Sequence, residues 1–178
     1  MDKIIYNVLE TLEKNGYESY VIGGYVRDKI LGISTMDIDI TTKAKPKEVL
    51  NIFKGYDVKL HDYGNVSFKC DNYKFDITTF RKDVKYINNR KPEKIVYIDS
   101  FLEDLKRRDF TINSMCLDMD DNIIDIYDGR KDLKRKIVRS IGDPYKKMEE
   151  DALRILRAIR FCSVFKFRLD NTLKDAII

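Results

Sequence analysis

Residues 23–28 read GGYVRD and residues 36–42 read MDIDITT, and the short step between these two stretches decides how the chain is read. In a β-strand, residues i and i+2 project from one face, about 6.6 Å apart along the chain. Residues 36–42 alternate strictly, so Asp37 and Asp39 share one face while Ile38 and Ile40 share the other. Two carboxylates placed this way converge on a divalent ion, although an isolated D-x-D also fits an ordinary exposed strand face. The glycine pair shifts the balance. Gly23-Gly24 between a strand and a helix lets backbone N–H groups approach a phosphate, and the helix N-terminus adds positive potential. Arg27, one turn into that helix, is then placed to grip a triphosphate.

Working outward, residues 1–16 carry Ile4, Ile5, Val8, Leu9 and Leu12 at helical spacing and lack the apolar core and cleavage site of a signal peptide. Residues 17–24 read as a strand running into the glycine turn, 26–31 as a short helix, and 46–53 as a helix opened by proline. Residues 58–62, 66–70 and 73–80 supply further strands, with a hairpin turn at Asp71-Asn72. Residues 81–99 are polar and are predicted as a mobile loop ending in a short strand at 95–98. A helix over 101–108, a hairpin from 112–117 and 123–127, and a helix near 131–136 follow. Pro144 opens a long helix predicted to reach at least Phe161.

The architecture expected is α/β (α+β): a mixed β-sheet flanked by helices, with the terminal helix projecting from it. That helix carries Ile155, Ile159, Phe161 and Phe165 and needs an apolar partner, and the chain stops soon after it, so a longer protein is expected. We expect a main domain over 1–138 and the truncated beginning of a helical appendage over 139–178.

With 178 residues, 43% hydrophobic and 36% charged, the chain suits a globular protein with one sizeable core. No stretch approaches the roughly 18 apolar residues of a membrane span. Three scattered cysteines suggest neither a disulfide framework nor a zinc site, and a reducing cytoplasm is the expected compartment. Charge is uneven: residues 1–128 hold 20 Lys+Arg against 23 Asp+Glu, whereas 129–178 hold 14 against 7. The basic C-terminal part fits a polyanionic partner, as it also fits exposed helices charged for solubility.

GGYVRD followed closely by DIDI resembles the polymerase-β-like nucleotidyltransferase superfamily, in particular its bacterial and eukaryotic class of tRNA CCA-adding enzymes and poly(A) polymerases. Residues 107–114, RRDFTINS, look like that family's R-R-D-F-T-I-N segment; 128–133, DGRKDL, are similar to its G-x-x-D-L element; and 150–157, EDALRILR, match its E-D-x-x-R-x-x-R segment. The resemblance runs from about residue 17 to residue 165 in the family's order.

It implies a catalytic head with the start of a helical neck, and template-independent addition of CMP and AMP to the 3′ end of tRNA. CTP and ATP are the implied substrates, and pyrophosphate leaves. Asp37 and Asp39 would hold two Mg²⁺, with Asp76 a candidate third carboxylate near the acceptor hydroxyl. Gly23, Gly24 and Arg27 would cradle the triphosphate, and Arg108, Asp109 and Asn113 would contact the sugar.

Asp151 and Arg154, assisted by Arg157, would read the base in place of a nucleic-acid template. Three apart on a helix, an Asp and an Arg present an acceptor and paired donors that match the edges of cytosine and adenine; the same pair also fits a plain surface ion pair. The loop 81–92, with Arg90, resembles the segment that CCA-adding members retain and CC-only adders have lost. A poly(A) polymerase, a CC- or A-adding enzyme, and an inactive nucleotide- or RNA-binding module are the rival readings. Lone His61 reads as structural.

Overall fold

The structure, a computed structural model, describes residues 1–87 and 91–178, with the backbone alone at 85–87 and 91–92. Helix α1 (Lys3–Lys14) forms because its apolar residues recur every three or four positions; Ile5, Val8, Leu9 and Leu12 are all buried. Each such burial is worth about 1.5–3 kcal/mol. The chain continues through β1 (Ser19–Ile22), α2 (Gly24–Leu31), β2 (Asp37–Thr42), α3 (Pro46–Ile52), β3 (Lys59–Leu60), β4 (Asn65–Cys70) and β5 (Tyr73–Thr79). The β4–β5 turn places Asp71 at a φ of 52°, a left-handed conformation that aspartate tolerates.

After the ribbon β6 (Arg81–Ile87) and β7 (Lys91–Tyr97) come α4 (Phe101–Lys106), a 3₁₀ turn (Thr111–Asn113), β8 (Cys116–Leu117), β9 (Ile123–Ile124) and α5 (Gly129–Arg135). The C-terminal part holds β10 (Ile137–Val138), α6 (Pro144–Glu150), α7 (Leu153–Phe165), β11 (Arg168–Leu169) and α8 (Asn171–Ile177).

Seven strands form one sheet in the order β3-β4-β5-β2-β1-β8-β9. Strand β2 lies in its middle, antiparallel to β1 and parallel to β5, so the sheet is mixed and helix-flanked as expected. Ile38 and Ile40 turn from β2 into the main core beside Val21, Phe75 and Ile77 and beneath α1. A smaller cluster of Ile22, Phe80, Phe101, Leu105 and Cys116 lies under α4. Among the described residues no helix is long and apolar enough to cross a membrane.

Four expectations are corrected. Residues 81–87 and 91–97 are the two strands of an antiparallel ribbon rather than a loop. The sheltered face of β6 carries Arg81 and Asp83 rather than apolar side chains, so its alternation writes no apolar strand signal into the sequence. The predicted loop residue Arg90 lies outside the described residues. The stretch 112–117 gives a 3₁₀ turn and only two residues of strand.

The long helix breaks at Asp151, whose φ of −146° and ψ of 102° are extended. Arg154 Nη1 donates to the Lys147 carbonyl at 2.8 Å, satisfying an α6 carbonyl with a guanidinium instead of another turn of helix. Finally, α7 does not simply project. Lys166 ends it in a left-handed conformation, β11 pairs parallel with β10, and α8 buries Leu173.

Candidate active site

The site begins where β1 ends. Register pairs Ile22 with Asp39, so the chain leaving β1 turns directly over the Asp39 side chain. Gly23 makes that turn at φ 79°, ψ −131°, a conformation open essentially to glycine alone. A Cβ there would meet Asp39 Oδ2 at 3.2 Å, so the absence of a side chain is also what lets the carboxylate approach the bend.

Asp37 and Asp39 are exposed on the face of β2 opposite the buried Ile38 and Ile40. On β5, Asp76 is the register partner of Asp39, and Asn65 Nδ2 holds its Oδ1 at 2.7 Å. Although solvent reaches the side chain, the protein crowded around the cleft desolvates the Asp39 carboxyl and pushes it above its ordinary range; Arg108 opposes the shift, while Asp76 and Asp37 add to it. A carboxylate crowded by two others favours a cation.

Among the described residues no group of three or more His, Cys, Asp or Glu side chains forms a self-sufficient metal cage.

A cavity of about 450 Å³ opens from Asp39, with Gly23, Gly24 and Arg27 on one side and Asp151, Arg154 and Arg157 on the other. Arg108, Asp109 and Asn113 complete its wall, so the structure gathers every described candidate except Asp37 and Asp76 around one space. Asp37 lies on the same strand face as Asp39, and Asp76 lies beside it.

A second cavity of about 310 Å³ shares Asp39, Arg81, Arg107 and Arg108 with the first and extends toward Tyr63, Asn65 and Thr78. Arg108 Nε and Asn113 Nδ2 are buried without a hydrogen-bond partner, two donors left for a polar ligand.

Arg27 is held on all sides. Its Nε and Nη2 reach Asp28 Oδ1 at 2.8 and 2.7 Å, and its Nη1 donates to Asn113 Oδ1 at 2.7 Å. The Phe161 and Phe165 rings of α7 lie 5.4 and 4.7 Å from its Cζ. It therefore ties α2 to α7 as well as lining the cavity.

Asp109 accepts from Arg157 Nε at 2.6 Å, and Arg157 in turn lies over Phe161. Arg154 is buried and donates to Glu150 Oε2 at 2.7 Å and to the Arg107 carbonyl at 3.2 Å. Because the helix breaks between them, Asp151 and Arg154 are not helical neighbours; Asp151 instead accepts the Leu153 N–H at 3.0 Å ahead of α7. Nearby Lys147 is held below the ordinary lysine range by burial and then by Arg154.

Arg81, Asp83, Arg107 and Phe161 also line the larger cavity; the sequence assigned none of them a site role, although Arg107 opens the RRDFTINS segment and Phe161 is an apolar position of the terminal helix. Phe161 stands four residues after Arg157, one turn along the same helix, and that spacing was a usable signal. Arg81 and Asp83 sit in the stretch whose strand signal was weak. His61, read as structural, shares a 2.7 Å hydrogen bond with Ser67 Oγ.

A mixed sheet whose middle strand lifts paired aspartates against a glycine bend, at the mouth of an arginine-walled cavity, defines a head of the nucleotidyltransferase type. Residues 19–139 match the family described as the poly A polymerase head domain, and the chain belongs to that family.

A CCA-adding enzyme of Lactobacillus helveticus is 44% identical over 171 residues, 96% of this chain and 43% of the relative. The CCA-adding enzyme of Bacillus stearothermophilus in complex with CTP superposes with a TM-score of 0.87 at 34% identity, covering 100% of this chain and 44% of that one. A tRNA nucleotidyltransferase complexed with a primer tRNA and an incoming ATP analogue gives a TM-score of 0.78 at 29% identity, with 96% of this chain and 48% of that one covered. The chain thus spans under half the length of these relatives.

Proposed function

We propose that this chain is the catalytic head, residues 1–138, and the beginning of the neck, 139–178, of an enzyme that adds CMP and AMP to the 3′ end of tRNA from CTP and ATP. The observation that carries this reading is the Asp39 carboxylate set against the Gly23 bend at the mouth of the cavity holding Asp151, Arg154 and Arg157. Relatives named CCA-adding enzymes, among them structures in complex with CTP and with ATP, support it.

Asp37 and Asp39 would hold Mg²⁺, which when bound lowers the pKa of the acceptor hydroxyl and offsets the charge of the triphosphate. The Gly23–Gly24 bend and the first turn of α2 receive phosphate oxygens through backbone N–H groups. Arg108 and Asn113 offer their free donors to the nucleotide, and Asp109 braces Arg157 at the cavity wall. Asp76, steadied by Asn65 and paired in register with Asp39, is the candidate to take the hydroxyl proton.

Base selection falls to Asp151, Arg154 and Arg157; Arg154 must exchange its Glu150 contact to meet a base edge. Three free cysteines, with the Cys116 thiol pushed up to about 12 by burial, fit a reducing cytoplasm.

The test offers tRNA lacking its terminal CCA, CA or A to the protein with each triphosphate singly. Ordered incorporation of two C and one A supports the reading. Unlimited A tails would assign it to poly(A) polymerases, and triphosphate binding without any transfer to a binding module.

A further inference from the structure

Asp104 has no place in the motifs above, yet it is completely buried beside the site. Both of its oxygens are saturated. Oδ1 accepts the Arg81 backbone N–H at 3.1 Å and Arg107 Nε at 2.8 Å; Oδ2 accepts Thr41 Oγ1 at 3.1 Å and Arg108 Nη2 at 3.1 Å. These donors come from three places: the root of the β6–β7 ribbon, the end of α4, and β2 itself. Thr41 follows Asp39 by two residues, so Asp104 is tied to the same strand face that carries the aspartate pair.

Stability alone does not call for a carboxylate here. A buried ion cluster replaced by well-packed apolar side chains is often as stable or more so. What a carboxylate does, and an apolar group cannot, is fix two guanidinium groups in defined directions by charge-assisted bonds. Arg107 and Arg108 are the two side chains so fixed, and both line the cavity on the glycine side of Asp39 and the one beyond it.

We propose that Asp104 is a positioning residue: it aims Arg107 and Arg108 at the triphosphate beside Asp39 and locks the ribbon root to the strand carrying the aspartate pair. The proposal rests on the nucleotidyl-transfer reading above.

Asp104→Asn in the full chain tests it, with the affinity for ATP in the presence of Mg²⁺ measured by calorimetry and folding followed by circular dichroism. The variant should fold and bind ATP about 10-fold or more weakly, as expected when a charge-assisted network loses its charge. Arg108→Ala should also weaken binding, and adding Asp104→Asn to it should cost much less than in the wild type, because the two act through one contact.

Unchanged affinity in a folded Asp104→Asn, or losses that simply multiply in the double variant, overturns the assignment. Should Asp104→Asn not fold, Thr41→Val cuts the strand tie from the other side: a loss of about 3-fold in affinity supports the assignment, and none overturns it. A wild type that binds no ATP would sink the nucleotidyl-transfer reading and this inference together; a wild type that binds normally beside an equally competent Asp104→Asn sinks the inference alone.

Discussion

Replacing Gly23 by alanine tests the site where backbone and chemistry meet. At φ 79° and ψ −131° an L-residue is strained, and the new methyl would stand 3.2 Å from Asp39 Oδ2. The backbone term costs about 1–3 kcal/mol. For a chain of this size that lowers Tm by about 3–10 °C.

The contact with Asp39 adds a second effect, because the carboxylate must shift by a few tenths of an ångström or the bend must open. Displacement of a reacting group by about 1 Å can cost about 100-fold in rate, so nucleotide incorporation should fall by roughly 10- to 100-fold. Differential scanning calorimetry and a single-turnover incorporation assay read the two effects separately.

Gly24→Ala is the built-in contrast. Gly24 is helical and its added Cβ would meet Arg27 Nη2 at 3.5 Å, an ordinary contact. Stability should hold or rise by about 0.5–1 kcal/mol, while ATP affinity falls because the methyl intrudes where phosphate oxygens approach. Gly23→Ala with unaltered Tm and unaltered incorporation would refute the reasoning.

Asp39→Asn should remove divalent-dependent incorporation yet raise the Tm of the metal-free protein by about 2–4 °C, since it relieves a crowded charge at a cost of the order of 1 kcal/mol; a lower Tm contradicts this. Asp39 and Asp104 should shape the pH dependence of stability with opposite signs.

Asp39 is raised by burial, so its contribution is present below the ordinary aspartate range and lost as pH rises through the raised value. Burial also works to raise Asp104, but Arg108 and Arg107 outweigh it and hold the carboxyl low. Its contribution is therefore present above the ordinary range and lost as pH falls through the depressed value. Urea melts of both asparagine variants from about pH 3 to about pH 7 should show the Asp39→Asn advantage growing with pH, and the Asp104→Asn deficit shrinking as pH falls.

Phe165→Leu keeps an apolar contact but removes the ring face 4.7 Å from Arg27 Cζ; a loss of about 0.5–1 kcal/mol is expected in denaturant unfolding. Asp151→Ala should relax the choice between triphosphates and, by freeing the Leu153 N–H at the start of α7, lower Tm by about 2–4 °C; unchanged base preference would remove Asp151 from that role.

The paired aspartates and the glycine bend were legible because their signals are local. Strict alternation from Met36 to Thr42 fixes which side chains share a face, and Gly23 is needed where the backbone itself takes a conformation other residues avoid. Helix α1 and the β4–β5 hairpin were legible for the same reason, since periodicity and turn residues act within one element.

Tertiary structure decided the rest. The break at Asp151 depends on Arg154 reaching back to the Lys147 carbonyl, a competition between side chain and helix that spacing cannot settle. The strands 81–87 and 91–97 escaped notice because the sheltered positions of the first are Arg81 and Asp83, which write no apolar alternation into the sequence. Arg27, Phe161 and Phe165 meet only because α7 packs against α2. Asp104, four residues from Arg108 in an unremarkable helix, becomes a junction only when β2 and the root of the ribbon arrive beside it. Sequence specifies conformation within an element; charge pairing across distant segments is settled by burial, which first makes those partners necessary to one another.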